Sequence, residues 1–235
     1  MILFFLRRNA VSLPIIWLIH FISKAEETMT TLIGTVRKFV KSAAIKRKIA
    51  FFYEHHGNGF EKWLQFELMH WLQENQGHKV HLEAGIAADQ RMTSKTKFQV
   101  DVLVKMKNQA NHIFHAVELK VTKGKSTAMR KAVYDLIRLS KAKDSEWDFR
   151  SVTAMVVCEG GGGNKYEEYL KALKAGEKQA WVFERHAIKK SGASIYLLCW
   201  RAPPRKAEKE NFTEFVNYLK ATAKEVGISM FEKQN

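Results

Sequence analysis

FQVDVLVKM (98–106) and HIFHAVELKV (112–121), joined by the polar stretch KNQAN (107–111), decide how this chain is read. Both runs are strand-like and largely apolar, yet they carry Asp101, Glu118 and Lys120. Burying such groups is costly without partners, so charges kept in these runs point to a function. Side chains alternate faces along a strand, which puts Glu118 and Lys120 on one side of the second run. With the turn centred between Gln109 and Ala110, residues equidistant from it face each other, and Asp101 falls opposite Glu118. Two carboxylates so placed repel unless something positive lies between them. Oxygen ligands of this kind suit a hard divalent cation such as magnesium, with manganese as the alternative. Lys120 would then lie beside a phosphate held by that ion. Leu103, Phe114 and Ala116 share the charged face, while Val100, Val102, Val104, Ile113 and Val117 form the other, so both faces read as covered rather than solvated.

Upstream, GFEKWLQFELMHWLQEN (59–75) has helical periodicity, with Phe60, Trp63, Leu64, Trp71 and Leu72 on one stripe. Glu67 projects between Trp63 and Trp71 in that stripe and is the expected fourth member of the site. Glu61 sits at the stripe's edge as the substitute, and Glu74 lies further round.

A helix with Glu, a strand with Asp, then Glu-x-Lys on the next strand resembles the PD-(D/E)XK, or restriction-endonuclease-like, nuclease superfamily. The resemblance covers roughly residues 54–158 and rests on Glu67, Asp101, Glu118 and Lys120. It departs at Val100, where the family name places a proline. It implies an α/β fold with a central mixed β-sheet flanked by helices, in the order αβββαβ. It also implies Mg2+- or Mn2+-dependent hydrolysis of phosphodiester bonds in nucleic acid. Asp101 and Glu118 would hold the metal, with the carbonyl of Leu119 as a further ligand and Glu67 completing the shell. Lys120 would orient or deprotonate the attacking water and offset charge in the transition state.

Composition agrees. The chain has 235 residues, 46% of them hydrophobic, and three prolines, which suits one core without a long linker. Lys and Arg number 39 against 24 Asp and Glu, a formal charge of +15, so polyanions are the expected partners. Basic clusters fall in VRKFVKSAAIKRK, in KVTKGKSTAMRKA and from RHAIKK to RAPPRKAEK. This pattern favours nucleic acid over acidic lipid; for the nuclease that the resemblance implies, DNA is the expected substrate ahead of RNA. A homodimer would be needed for paired cuts, and no small-molecule cofactor is expected.

After Lys120, Gly-Lys-Ser imitates the end of a P-loop, but Leu119 stands where that motif requires its first glycine. A helix beginning near Ser126 or Thr127 is the better reading, with Lys123, Lys125 and Ser126 placed to bind phosphate at its amino end. It buries Met129, Ala132, Val133, Leu136 and Leu139, and leaves Arg130, Lys131, Tyr134 and Arg138 for substrate or solvent. SVTAMVVC (151–158) reads as a central strand. The following EGGGGN fails the dinucleotide-binding spacing because Lys165 replaces the third glycine. KYEEYLKALKA reads as a helix, AWVFERH and SIYLLCW as further strands, and NFTEFVNYLKATAKEV as a helix capped by Gly227.

Cys158 and Cys199 have no C-x-x-C partner and read as buried thiols of a reducing, cytoplasmic compartment. No zinc ligand set emerges, since His112 and His115 face opposite ways on a strand. Residues 1–28 form an apolar and basic leader whose two apolar stretches, broken by Arg7 and Arg8, are each too short to span a bilayer. A signal peptide or a natural start at Met29 are its alternative readings, with residues 29–235 as a single domain. The rival to a nuclease is a catalytically silent nucleic-acid-binding module that keeps the fold.

Overall fold

In the computed structural model, residues 31–56, 59–87, 97–111, 113–140, 148–160, 168, 181–189, 191–201 and 221 are described. The leader (1–28) and most of the glycine-rich stretch, of the helix expected after it and of the expected carboxy-terminal helix lie outside them.

Three helices come first: α1 (Leu32–Lys41), α2 (Ala43–His56) and α3 (Glu61–Glu74). Thr31 caps α1, its hydroxyl accepting from the Gly34 amide at 3.2 Å. The left-handed Gly77 ends α3. There the amides of Gly77 and His78 donate to the carbonyls of Gln73 and Leu72. The chain then makes β1 (Lys79–Ala87), β2 (Lys97–Lys105), β3 (Ile113–Val121), helix α4 (Lys125–Ser140), β4 (Asp148–Glu159), β5 (Trp181–Ala187) and β6 (Ala193–Arg201). The expected order of helix, three strands, helix, strand is therefore present from α3 to β4.

The six strands form one mixed sheet in the order β1-β2-β3-β4-β6-β5. β3 and β4 are its parallel centre and all other neighbours are antiparallel. A parallel pair needs a crossover, and α4 supplies it. The sheet is covered on both faces, as its near-continuous apolar central strands require. On one face Val102, Val104, Val117, Leu119, Met155, Val157, Ile195 and Leu197 join the core of α1–α3. On the other, Leu103, Ala116, Ala154 and Val156 are buried, as are Ala128, Met129, Ala132 and Val133 of α4.

The β2–β3 hairpin has the register expected from its turn, pairing Val102 with Val117, Leu103 with Ala116 and Val104 with His115. That ladder ends at Val102, although β3 continues to Val121. Beyond this point the two strands part. Among the described residues, no helix is long and apolar enough to cross a membrane.

Candidate active site

The parting of β2 and β3 leaves β3 amides facing a gap, and buried backbone donors must be satisfied somewhere. Here carboxylates replace the missing ladder. The Leu119 amide donates to Asp101 Oδ2 at 2.8 Å, and the Val121 amide donates to Glu61 Oε2 at 3.0 Å. A strand residue's N–H and C=O leave on the same side, so the Leu119 carbonyl is aimed at the same gap. Glu83 marks the irregularity on the far side of β2. It stands opposite Asp101 in the β1–β2 register and has a positive φ of 49°, strained for a non-glycine residue.

Lys120 is central to the cluster. Its Nζ lies 3.0 Å from Asp135 Oδ2, 3.6 Å from Asp101 Oδ2, 3.8 Å from Glu61 Oε1 and 3.9 Å from Glu118 Oε2. One cation thus faces four carboxyl groups from three elements besides its own. Burial works against the Lys120 charge, but Asp135, Asp101 and Glu61 outweigh it and raise the pKa above the usual lysine value. Glu118 is 1% exposed. Burial, then the charges of Asp101 and Asp135, push its carboxyl up to about 9, so at neutral pH it holds a proton and hydrogen-bonds to Asp101. Burial also raises Glu61, against the pull of Lys120 and the Val121 amide.

Asp101, Glu118, Leu119 and Lys120 meet as the sequence implies, but Glu67 does not join them. Its carboxylate pairs instead with Lys48 of α2 at 2.7 Å, and Glu61 takes the expected place. The reason lies in the two partners of α3. Trp63 packs on Phe52 of α2 and Trp71 on Phe39 of α1, with ring centroids 4.4 and 5.9 Å apart. The sheet-side core is Leu64, Leu68 and Leu72. A stripe centred on the tryptophans therefore points at neighbouring helices and carries Glu67 with it. Glu61, three residues before Leu64 and seven before Leu68, lies at the sheet-facing edge.

Asp135 was not expected. It follows Ala128 by seven residues and Ala132 by three, both buried, so the helical spacing that placed the α4 core also carries Asp135 to its edge. Among the residues expected to contact phosphate, Lys123, Ser126, Arg130 and Lys131 are exposed. Helix α4 begins at Lys125, and that side chain is largely buried, with Nζ 5.3 Å from the centre of the Tyr196 ring. Its long stem packs at the sheet surface instead of reaching solvent. Arg138 lies on α4, and its side chain is outside the described ones. Cys158 and Cys199 are buried free thiols.

The donors around the gap are all oxygens: the carboxyls of Asp101, Glu118 and Glu61 and the Leu119 carbonyl. Among the described residues no group of three or more Asp, Glu, His or Cys side chains is placed to hold a metal ion. Oxygen donors are the kind that a hard divalent ion takes, usually while keeping several of its waters. A cavity of about 420 Å³ lies at the opposite end of β3, bordered by His78, Met106, Gln109, His115 and Ser151, and none of the clustered carboxyls lines it.

No protein-family model matches this chain, and no curated protein or solved structure matches it either.

Proposed function

We propose that the chain is a metal-dependent endonuclease with a restriction-endonuclease-like αβββαβ core, acting on DNA in preference to RNA. The observation that carries this reading is the parted end of the β2–β3 hairpin, where Asp101, Glu118, Glu61 and Lys120 converge on one gap. A purely structural ion pair would need one carboxylate for one lysine. Even with Glu118 protonated, the carboxyls of Asp101, Asp135 and Glu61 around one ammonium leave an excess of negative potential, which a divalent cation relieves.

Asp101 and Glu118, with the Leu119 carbonyl between them and Glu61 beside them, would hold magnesium or manganese, which supplies Lewis-acid polarisation of a phosphate and a more acidic water. Glu118 must give up its proton to take part. Lys120, kept charged by its acidic neighbours, acts as a cation: it binds a non-bridging phosphate oxygen and offsets the charge that develops there. Its raised pKa disfavours the role of general base. Asp135 is a positioning residue that aims the Lys120 ammonium from the α4 side. The exposed Lys123, Ser126, Arg130 and Lys131 of the α4 amino end would contact flanking phosphates. Cytoplasmic action on chromosomal or invading DNA fits the free thiols.

The test is cleavage of supercoiled plasmid, single-stranded DNA and RNA by the full chain with magnesium, manganese or chelator, beside Asp101→Ala and Lys120→Ala. Metal-dependent nicking lost in both variants is expected. Binding that survives in all three proteins with no cleavage of any substrate would favour a catalytically silent binding module.

A further inference from the structure

The outward faces of α2 and α3 carry a pattern that the cleavage chemistry does not use. Phe51 is 53% exposed and Phe66 is 51% exposed, both near the middle of helix faces that otherwise meet solvent. Each has a basic residue four residues before it and a histidine four residues after it: Arg47–Phe51–His55 on α2 and Lys62–Phe66–His70 on α3, where Lys62 is paired with Glu83. Residues four apart share a helix face, so each set forms one stripe. All six side chains are exposed.

The two stripes are neighbours. The Lys48–Glu67 ion pair and the Phe52–Trp63 ring contact align α2 and α3 antiparallel, with 48 level with 67 and 52 level with 63. By that alignment Phe51 is level with position 64, and Phe66 lies two residues further, about 3 Å along the axis. The Phe51 ring is also held in place. It stacks on His55 with centroids 4.5 Å apart and planes at 25°, and His55 Nδ1 is 2.8 Å from the Phe51 carbonyl oxygen.

Charge and position say what such a surface fits. From Thr31 to Tyr53 the chain has six Lys and Arg and no Asp or Glu. Lys41, Arg47 and Lys48 of this segment are exposed. Beneath the surface the rings run toward the candidate site: Phe51 touches the half-buried Phe52, Phe52 stacks on the buried Phe60, and Phe60 precedes Glu61 of the carboxyl cluster. A surface that is basic at one end and carries two exposed rings in the middle matches a single strand, whose bases are free to stack.

We infer that Phe51, stacked on His55, is a base-stacking platform that holds single-stranded nucleic acid leading to the Glu61 side of the cluster, with Phe66 as its second ring. The inference rests on the nuclease reading for the direction of the strand, but not for the binding itself.

The test is binding of a fluorescent oligothymidylate and of a blunt duplex to the full chain in chelator, where nothing is cut. Phe51→Ala and Phe51→Leu should each weaken oligothymidylate binding by about fivefold or more, the scale of losing one stacked base. Phe51→Trp should keep the affinity, and its fluorescence should be quenched on binding. Duplex affinity should change less than about twofold in all three. Circular dichroism identifies any variant that fails to fold, and Phe51→Trp provides the readout in that case. Unchanged oligothymidylate affinity in Phe51→Leu, an equal loss on duplex, or concentration-dependent dimers that Phe51→Ala dissolves would each overturn the inference, the last by naming a second copy as the occupant. Phe51-dependent binding without any metal-dependent cleavage would sink the nuclease reading and leave the platform standing.

Discussion

Strand β3 buries polar groups near both of its ends, and the two ends are built on opposite principles. Near its start, His115 is 5% exposed, and its ring nitrogens lie 2.7 Å from Ser151 Oγ and 2.7 Å from Gln109 Oε1. The hairpin ladder is closed there, and the polar groups are matched to one another. Near its finish the ladder is open, four carboxyls face one lysine, and Glu118 stays neutral only by holding a proton. A matched network rigidifies a core, whereas an unbalanced charged one costs stability. The comparison separates polar burial that is balanced within the fold from polar burial that is not, and the proposed chemistry belongs to the second.

Substitutions should separate the two ends sharply. At the open end, Asp101→Ala or Lys120→Ala is expected to lower metal-dependent cleavage by about 10²–10³-fold or more, since each removes a charge that acts in the transition state. Equal cleavage by wild type and Lys120→Ala would place the chemistry elsewhere.

A smaller effect distinguishes the two glutamates of α3. Glu61→Gln should reduce metal affinity or cleavage by about 10–100-fold, the scale for groups that support a metal site, and Glu67→Gln should change cleavage less than about twofold. The reverse ranking in steady-state cleavage rates would show that the tryptophan stripe, not the leucine face, aims the functional carboxylate.

Stability against pH reports on the same end. The folded-state pKa of Glu118 is raised from 4.5 to about 9, so its burial costs nothing below about pH 4.5, where the carboxyl is protonated whether folded or not. The penalty grows as pH rises toward 9 and the folded state keeps a proton that the unfolded chain has lost. Metal-free protein should therefore lose melting temperature between pH 5 and about 9, and Glu118→Gln should flatten that slope. A slope of the same size in Glu118→Gln would assign it to other groups.

The smallest effect on activity belongs to the closed end. Ser151→Ala leaves a buried ring nitrogen of His115 without its partner and should cost about 1–3 kcal/mol of stability in denaturant titrations. Cleavage per folded molecule should be unchanged; a loss there would tie the two ends together.

Much of this was legible in the sequence because strands obey a period of two. The turn in KNQAN and the alternation of FQVDVLVKM and HIFHAVELKV give the hairpin register, the shared face of Asp101, Glu118 and Lys120, and the buried status of both faces. Helix positions were harder. Period alone cannot tell which of two apolar flanks meets the sheet, and the larger tryptophans drew the stripe toward α1 and α2 and so toward Glu67. Asp135 was hidden for a related reason, since an acidic residue at the edge of an amphipathic stripe reads as solvated until the strand opposite it is known to carry Lys120. The parting of β2 from β3 has no sequence signal of its own. It becomes visible only when the Leu119 and Val121 amides are seen to bond carboxylates.

The most direct measurement is a calorimetric titration of manganese into the full chain and into Asp101→Ala at pH 7, in two buffers of different ionisation heat, which counts the protons released on binding. If Asp101 and Glu118 form the metal site, wild type should bind and release close to one proton, because Glu118 must ionise to take part, and Asp101→Ala should lose that binding. Absence of binding, or binding that releases no proton and survives in Asp101→Ala, would contradict the account.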